Sequence, residues 1–380
     1  MKGLFLVFHG FAAHNGISKK IFSQLAALRE CGLEMELCYV ACSADGHWKR
    51  MAGQQVVEDF GTGIRGKIGK RVRYGALTRY IRENGVKFVY MRADHNANPF
   101  LNRWLGQMKR MGVKVVMEIP TYPYDSEYSR APLRARAVLQ IDKIFRGAMA
   151  RRLSRIVTFS DLSAIFGVPT IRISNGIDFG AIPLKASENR PGDVIRLTGV
   201  ADIHFWHGFD RVIEGMAEYY RTSPEQDVEF HVVGSGVPSQ LEMLRALAAK
   251  YHLESRVIFH GPKSGAELDA IFENADMGIA SLGRHRCGID RIKTLKNREY
   301  AARGIPFVYS EADSDFDAMP YVMKAPADES LLDIAAVVRF CRDNTLTPAQ
   351  IRCSVAELSW TVQMQKVLNE VLNKENDGLD

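Results

Sequence analysis

The sequence predicts an α/β protein built from two doubly wound parallel-sheet domains. Three observations carry that prediction. Apolar runs of strand length alternate with longer stretches of helical period through both halves, as they do where crossover helices cover a parallel sheet. A polar connector with Pro183, Pro191 and Gly192 breaks the alternation at residues 180–194. Charge divides near the same place: residues 1–180 hold 28 Lys and Arg against 14 Asp and Glu, a net of +14, whereas the remaining 200 residues net −8. The 380 residues are enough for two domains of ordinary size. The expected division is a basic N-terminal domain over 1–180, a C-terminal domain over 181–345 and a helical tail over 346–380.

In chain order, Gly3–Phe8 reads as a short buried strand and Ile17–Cys31 as a helix stopped by Gly32. Glu34–Ala41 is the next strand, followed by a basic helical region over 65–84, a strand at Lys87–Met91 and a helix over 98–112. Lys114–Glu118 is a strand, 131–153 a helix, and Arg155–Phe159 and Thr170–Ser174 are short strands. Past the connector the strands are Val194–Val200, Val228–Val233, Val257–His260, Met277–Ala280 and Phe307–Ser310. The helices between them are Phe209–Arg221, Ser239–Tyr251, Gly265–Asn274 and Lys296–Arg303, and a long helix is expected from about 345 to 374.

Composition narrows the class. Apolar residues at 46% with 25% charged describe a globular chain, and no run approaches the roughly 20 apolar residues of a membrane span. The apolar start, Leu4 to Phe8, is too short for a signal peptide and lacks a cleavage site. Six cysteines at 31, 38, 42, 287, 341 and 353 show no Cys-x-x-Cys pairing, so a reduced cytoplasmic setting is expected. The run Arg65 to Arg82, with Lys67, Lys70, Arg71, Arg73 and Arg79, reads either as a solvated helix face or as a contact with an anionic membrane or polyanion. There is no G-x-S-x-G, P-loop or H-E-x-x-H and no recognisable nucleic-acid module, so no nucleic-acid partner is expected.

The richest segment is Thr294-Leu-Lys-Asn-Arg-Glu-Tyr-Ala-Ala-Arg-Gly-Ile-Pro306. Lys296 and Glu299 share one face at the start of a helix. The helix end offers free N–H groups and partial positive charge to a diphosphate, and Lys296 adds a point charge. The Glu299 carboxylate can accept from two neighbouring ribose hydroxyls. Together they suit a sugar nucleotide. In the first half, the loops Tyr90-Met-Arg-Ala-Asp-His95 and Glu118-Ile-Pro-Thr-Tyr-Pro-Tyr-Asp125 follow strands and gather acidic, basic and aromatic groups. Arg92, Glu118, Tyr122 and Tyr124 are the candidate saccharide-binding residues there, with His95 the candidate for contact at the reacting centre. The alternative is that Glu118 and Arg92 form a buried ion pair and the tyrosines pack.

These segments, in their order and spacing, resemble the GT-B glycosyltransferases, in particular the large retaining family four and its bacterial surface-polysaccharide branch. The resemblance spans nearly the whole chain: His9–Ile17, Glu118–Tyr124, Ser174-Asn-Gly-Ile-Asp178, Trp206–Arg211, Lys296–Pro306 and Leu358-Ser-Trp360. It implies two Rossmann-like domains facing across a cleft, with the tail crossing back toward the first. Asn15 and Gly16 would lie in the loop that meets acceptor and donor phosphates. Gly199 opens the first glycine turn of the donor half, where the family's usual Arg and Lys are replaced by Val200 and His207. The resemblance therefore hands the phosphate charge to His207 or Arg211, helped by Arg291, Lys293 and Lys296. Gly234 and Pro262 would line the donor turns, the second near the base. Glu299 matches the second of the family's two glutamates. Arg291 stands where the first belongs, and Asp290, one residue back, is the substitute carboxylate. Asp313-Ser-Asp315 is expected to be a solvated acidic loop with Glu311 and Asp317, not a metal site, and no cofactor or metal is expected.

The implied reaction is hexosyl transfer from a nucleoside-diphosphate sugar to a hydroxyl, with retention. The implied acceptor is a saccharide, lipid-linked in the reading favoured here, met at the inner membrane face during surface-polysaccharide synthesis. Rivals are a sugar-nucleotide epimerase on the same fold, a non-catalytic partner subunit, and a solute-binding protein disfavoured by the want of an export signal.

Overall fold

The computed structural model describes residues 1–11, 16–125 and 133–373. The chain divides into two compact units, Met1–Gly176 with Trp360–Asp380, and Ile177–Ser359. The boundary expected at 180 thus falls at 176/177, and residues 346–359 of the expected tail belong to the second unit.

The first unit runs β1 (Lys2–Leu6), α1 (Gly16–Glu30), β2 (Glu34–Cys42), β3 (Trp48–Ala52), β4 (Gln55–Asp59), α2 (Gly63–Val72), α3 (Gly75–Glu83), β5 (Phe88–Arg92), α4 (Pro99–Arg110), β6 (Lys114–Ile119), α5 (Leu133–Ala150), β7 (Arg155–Thr158), β8 (Ala164–Ile165) and β9 (Val168–Arg172). Among the described residues its sheet has the order β4-β3-β2-β1-β5-β6-β7-β9-β8. The strands from β2 to β9 pair in parallel, and β3, β4 and β8 add antiparallel edges. The β3–β4 hairpin was not expected, because Trp48-Lys-Arg-Met-Ala52 and Gln55-Val-Val-Glu-Asp59 carry charge where a core strand would be apolar. The basic region expected as one helix is two, since Arg73 is extended between α2 and α3. Local chemistry sets several ends. Asn98 caps α4 by accepting from the Phe100 and Leu101 amides at 2.9 and 3.0 Å, with Pro99 in the first turn.

The second unit runs β10 (Val194–Val200), α6 (Phe209–Tyr220), β11 (Asp227–Val233), α7 (Pro238–Lys250), β12 (Val257–Gly261), α8 (Ala266–Glu273), β13 (Met277–Ile279), α9 (Leu295–Arg303), β14 (Phe307–Tyr309), β15 (Val322–Lys324), α10 (Ile334–Asp343) and α11 (Pro348–Ser354). Its six strands, in the order β12-β11-β10-β13-β14-β15, are all parallel. Strand order reverses between β10 and β13, so the crevice for a ligand lies off their carboxyl ends. The β10 and β13 core positions Leu197, Met277 and Ile279 are fully buried, as a two-sided parallel sheet demands.

The tail is not one helix. After α11 comes a short 3₁₀ turn, Ala356–Leu358, then α12 (Trp360–Leu368) continuing as a π turn to Asn373. Ser359 is extended between them and forms a bridge with Ile177, whose N–H reaches the Leu358 carbonyl at 2.8 Å. Trp360, Met364, Val367 and Leu368 of α12 bury themselves against Phe5, Ile21, Leu25 and Leu28 of the first unit. Gly176 makes this docking possible, since a Cβ there would sit 2.2 Å from Trp360 Cδ2. Among the described residues no helix is long and apolar enough to cross a membrane.

Candidate functional site

In the second unit, two strand ends and one helix start converge on a cluster of buried, unpartnered charge. Thr294 caps α9, its hydroxyl accepting from the Asn297 amide at 3.4 Å, which leaves first-turn amides of the helix without intrahelical acceptors. Lys296 follows in that turn. Its Nζ is buried with no hydrogen-bond partner among the described residues, 5.9 Å from the centre of the Phe209 ring. Burial first, and then the charge of Arg284, push the ammonium down to about 7 against the pull of Glu311. Arg284 lies just past β13 in a short 3₁₀ turn, Arg284–Cys287, and its Nε is likewise buried and unpartnered. Glu311, two residues past β14, is 1% exposed, and neither carboxylate oxygen has a partner on another residue. Burial pushes that carboxyl up to about 7 despite Arg284, Lys296 and Lys324 nearby. Charges of both signs are therefore held out of water around one point without touching.

In a second cluster beside it the charged groups are paired. Buried Arg298 donates to both oxygens of Asp313, at 2.5 and 3.2 Å, and also to Asp315 and the Thr294 carbonyl. Asn297 Nδ2 adds a donor to Asp313 at 3.1 Å, and Lys293 meets Asp315 at 3.1 Å. The acidic loop expected to be solvated is thus the inward anchor of α9, and Glu311 and Asp313 are both buried.

The turn Trp206-His207-Gly208 shows the sharpest departure from expectation. His207 is 5% exposed, and burial together with Lys296 and Arg284 pushes it down to about 2, so it is neutral and carries no phosphate charge. Its Nδ1 instead accepts from the His204 N–H at 3.0 Å, tying the turn. Arg211 is also turned inward, donating to the carbonyls of Ser330 at 2.6 Å, Pro326 at 3.0 Å and Leu282. Its guanidinium fastens the α6 start to two loops. Gly199 and Gly234 are required by packing. A Cβ at Gly199 would lie 2.7 Å from Phe209 Cζ, and at Gly234, with φ +128°, 1.8 Å from the Ala201 carbonyl oxygen.

In the first unit, Glu118 is 0% exposed at the end of β6. It accepts from Arg92, from Tyr90 Oη at 2.8 Å and from Gln24, and lies 3.4 Å from Lys20 Nζ. Burial alone would raise this carboxyl, but Lys20, Arg92 and the two hydrogen bonds hold it below the usual range. Glu118 and Arg92 therefore form the buried ion pair and are not open to a saccharide. Because the carboxylate is stabilised in the fold, its contribution is present above about pH 4.5 and lost as pH falls through the depressed value. Glu118→Gln is expected to lower stability at pH 7 by about 1–3 kcal/mol and to flatten the acid limb of the stability curve. Urea denaturation between pH 3 and 7 reads both effects.

Tyr124 is buried, with its hydroxyl 2.7 Å from Asp142, and His95 stacks on its ring at 3.8 Å with φ +46°. Burial lowers His95, so the imidazole is neutral near pH 7. Tyr122 packs edge-on against Phe166 at 5.5 Å. Asn15 lies outside the described residues, and Gly16 is the first residue of α1.

No family model matches the sequence, and no curated protein matches it. Solved structures do match the fold. A glycosyltransferase from Rickettsia africae aligns at TM-score 0.62 and 12% identity, covering 98% of each chain. HepE of Anabaena, solved in complex with UDP, aligns at 0.58 and 13% identity over 100% of both chains. WaaG, a glycosyltransferase involved in lipopolysaccharide biosynthesis, aligns at 0.60 and 13% identity over 98% of this chain and 100% of its own. The fold is GT-B.

Within this GT-B chain, the second unit brings Lys296 and Glu299 onto α9, with Arg291 and Lys293 on the segment leading into it. Glu299 is half-buried and held by Arg303 at 3.1 Å, leaving its second oxygen available. Asp290 is exposed, its carbonyl accepting from the Ala312 amide at 2.7 Å, so it is not the buried carboxylate of the site. Pro262 is exposed at the β12 end. Sequence reasoning singled out neither Glu311 nor Arg284 as a site residue. The signal for Glu311 was its place directly after a buried strand, masked by Asp313, Asp315 and Asp317 in the same stretch.

Proposed function

We propose that the chain is a retaining glycosyltransferase, similar to family four, that moves a hexosyl group from a nucleoside-diphosphate donor to a saccharide hydroxyl in cell-surface polysaccharide synthesis. The observation that carries this reading is the buried, unpartnered Lys296 ammonium in the first turn of α9, with Arg284 Nε beside it. Such a group has an energetic reason to exist only if an anion meets it. A diphosphate leaving group gains negative charge as the glycosidic bond breaks, and fixed cations with helix amides stabilise that charge without reorganising. No metal is needed in this scheme. Glu299, with one oxygen uncommitted, holds the ribose.

The neighbours support the donor class: HepE was solved with UDP and with UDP and glucose, and WaaB is a lipopolysaccharide outer core galactosyltransferase. Contact with the inner membrane face is supported by α2, where Ile64 and Ile68 are 66% and 54% exposed beside Arg65 and Lys67. Each basic residue near an anionic surface contributes about 1 kcal/mol, enough for reversible peripheral attachment.

Calorimetry with UDP, GDP and ADP tests the proposal. One nucleotide is expected to bind preferentially, and Glu299→Ala to weaken it by roughly ten- to a hundred-fold while leaving inorganic diphosphate unaffected. Failure of all three nucleotides to bind would sink the reading.

A further inference from the structure

Glu311 is the one member of the α9 cluster with no place in the scheme above. Its carboxylate sits at the C-terminal end of the sheet, where β13 and β14 run side by side and the Ser310 amide reaches the Ser281 carbonyl at 3.0 Å. The side chain is 1% exposed, and among the described residues nothing beyond its own amide donates to either oxygen. Lys324 Nζ takes the backbone carbonyl of Glu311 and the Asp317 carboxylate, at 2.9 Å for the latter, and so does not serve the Glu311 side chain. Ser281 Oγ, fully buried on the neighbouring strand end, also lacks a partner. Lys296 and Arg284 stand close enough to shift the carboxyl yet make no hydrogen bond to it.

A ligand that satisfies this arrangement must do two opposite things within one small volume. It must present negative oxygen to Lys296 and Arg284, and it must present O–H donors to Glu311. The ionised phosphate oxygens of a bare nucleotide do only the first, and a neutral sugar only the second. A sugar joined to phosphate does both, because the hydroxyl on its C2 is only three bonds from the bridging oxygen. We infer that Glu311 is the specificity carboxylate of the site, accepting hydrogen bonds from hydroxyls of the sugar that the diphosphate carries. The inference rests on the nucleotide-sugar reading. It assigns to Glu311 the part that the exposed Asp290 does not fill.

The test compares bare and glycosylated nucleotides on the same protein: UDP, GDP and ADP against UDP-glucose, GDP-mannose and ADP-glucose, by calorimetry on wild type, Glu311→Gln and Glu311→Asp. The isosteric Glu311→Gln is expected to bind the preferred sugar nucleotide roughly ten- to a hundred-fold more weakly. Its affinity for the bare nucleotide is expected to stay within about two-fold. A mono-deoxy sugar nucleotide lacking the bonded hydroxyl should lose the same factor on wild type and nothing further on Glu311→Gln. Thermal melts of both variants confirm the fold, and Glu311→Asp, which keeps the charge but withdraws it, should fall between wild type and Glu311→Gln. Equal weakening of bare and glycosylated nucleotides, or no weakening of either, overturns the assignment while leaving the donor site standing. A wild-type protein that binds no nucleotide at all overturns both.

Discussion

Lys296→Met is expected to stabilise the ligand-free protein at pH 7 by about 1–4 kcal/mol while weakening nucleoside-diphosphate binding by roughly ten- to a hundred-fold. Methionine fills the same volume against Phe209 without bringing a charge into a dry site. The pH dependence is the sharper reading. The ammonium titrates near 7 in the fold against 10.5 for an ordinary lysine, so the unfolded chain holds more protons in between. Below about pH 7 the fold carries the full burden of the buried charge, and between about 7 and 10.5 that burden is relieved. Wild-type stability from this residue therefore rises across that window, and the methionine variant lacks the rise. Urea denaturation of both proteins at about pH 7 and about pH 9.5 decides it. A methionine variant less stable than wild type at pH 7 would mean the ammonium is ion-paired in solution, and the anion-site argument would fall.

Arg298→Leu is expected to have the opposite sign and a larger size, a loss of about 3–5 kcal/mol, because it strands the Asp313 carboxylate in the interior. Only Asn297 Nδ2 and local amides would remain to hold that charge. The same guanidinium ties the Thr294 carbonyl at 3.0 Å, so the α9 cap and the Lys296 turn should loosen with it. Adding Asp313→Leu removes the stranded charge and should recover most of the loss. Denaturant midpoints of the single and double variants measure the coupling, and a single-variant loss under about 1 kcal/mol would contradict a buried pair.

Much of the architecture was legible because it rests on patterns that survive without tertiary context. Val194–Val200 is a strand over its full expected length, and α9 starts one residue from where Thr294 and Lys296 suggested. What escaped detection depended on partners distant in sequence. Arg50 lies in a strand because its guanidinium is buried against Phe60 and the Lys70 and Arg73 carbonyls, and no local rule marks such a residue as interior. The break at Ser359 arises from pairing with Ile177, 182 positions away, and helical periodicity on either side conceals it. In the candidate site, Lys296 stands in the first turn of α9, at the helix start where the sequence places it. His207 and Arg211 are each held by neighbours that the sequence does not set beside them, and for Glu118 the ion-pair alternative is the one the structure shows. Burial also separates Glu311 from Asp290, two carboxylates that look alike in a line of letters.

The placement of α12 has a consequence for how the protein is made. Trp360, Met364 and Val367 close an apolar face lined by Phe5, Ile21 and Leu28, residues that leave the ribosome more than three hundred positions earlier. Through the whole translation of Ile177–Ser359 the first unit must wait with that face open, and its covering arrives only once Trp360 to Val367 have been made. A chain cut just before Trp360 therefore keeps every residue of the second unit and leaves the first unit without part of its apolar cover.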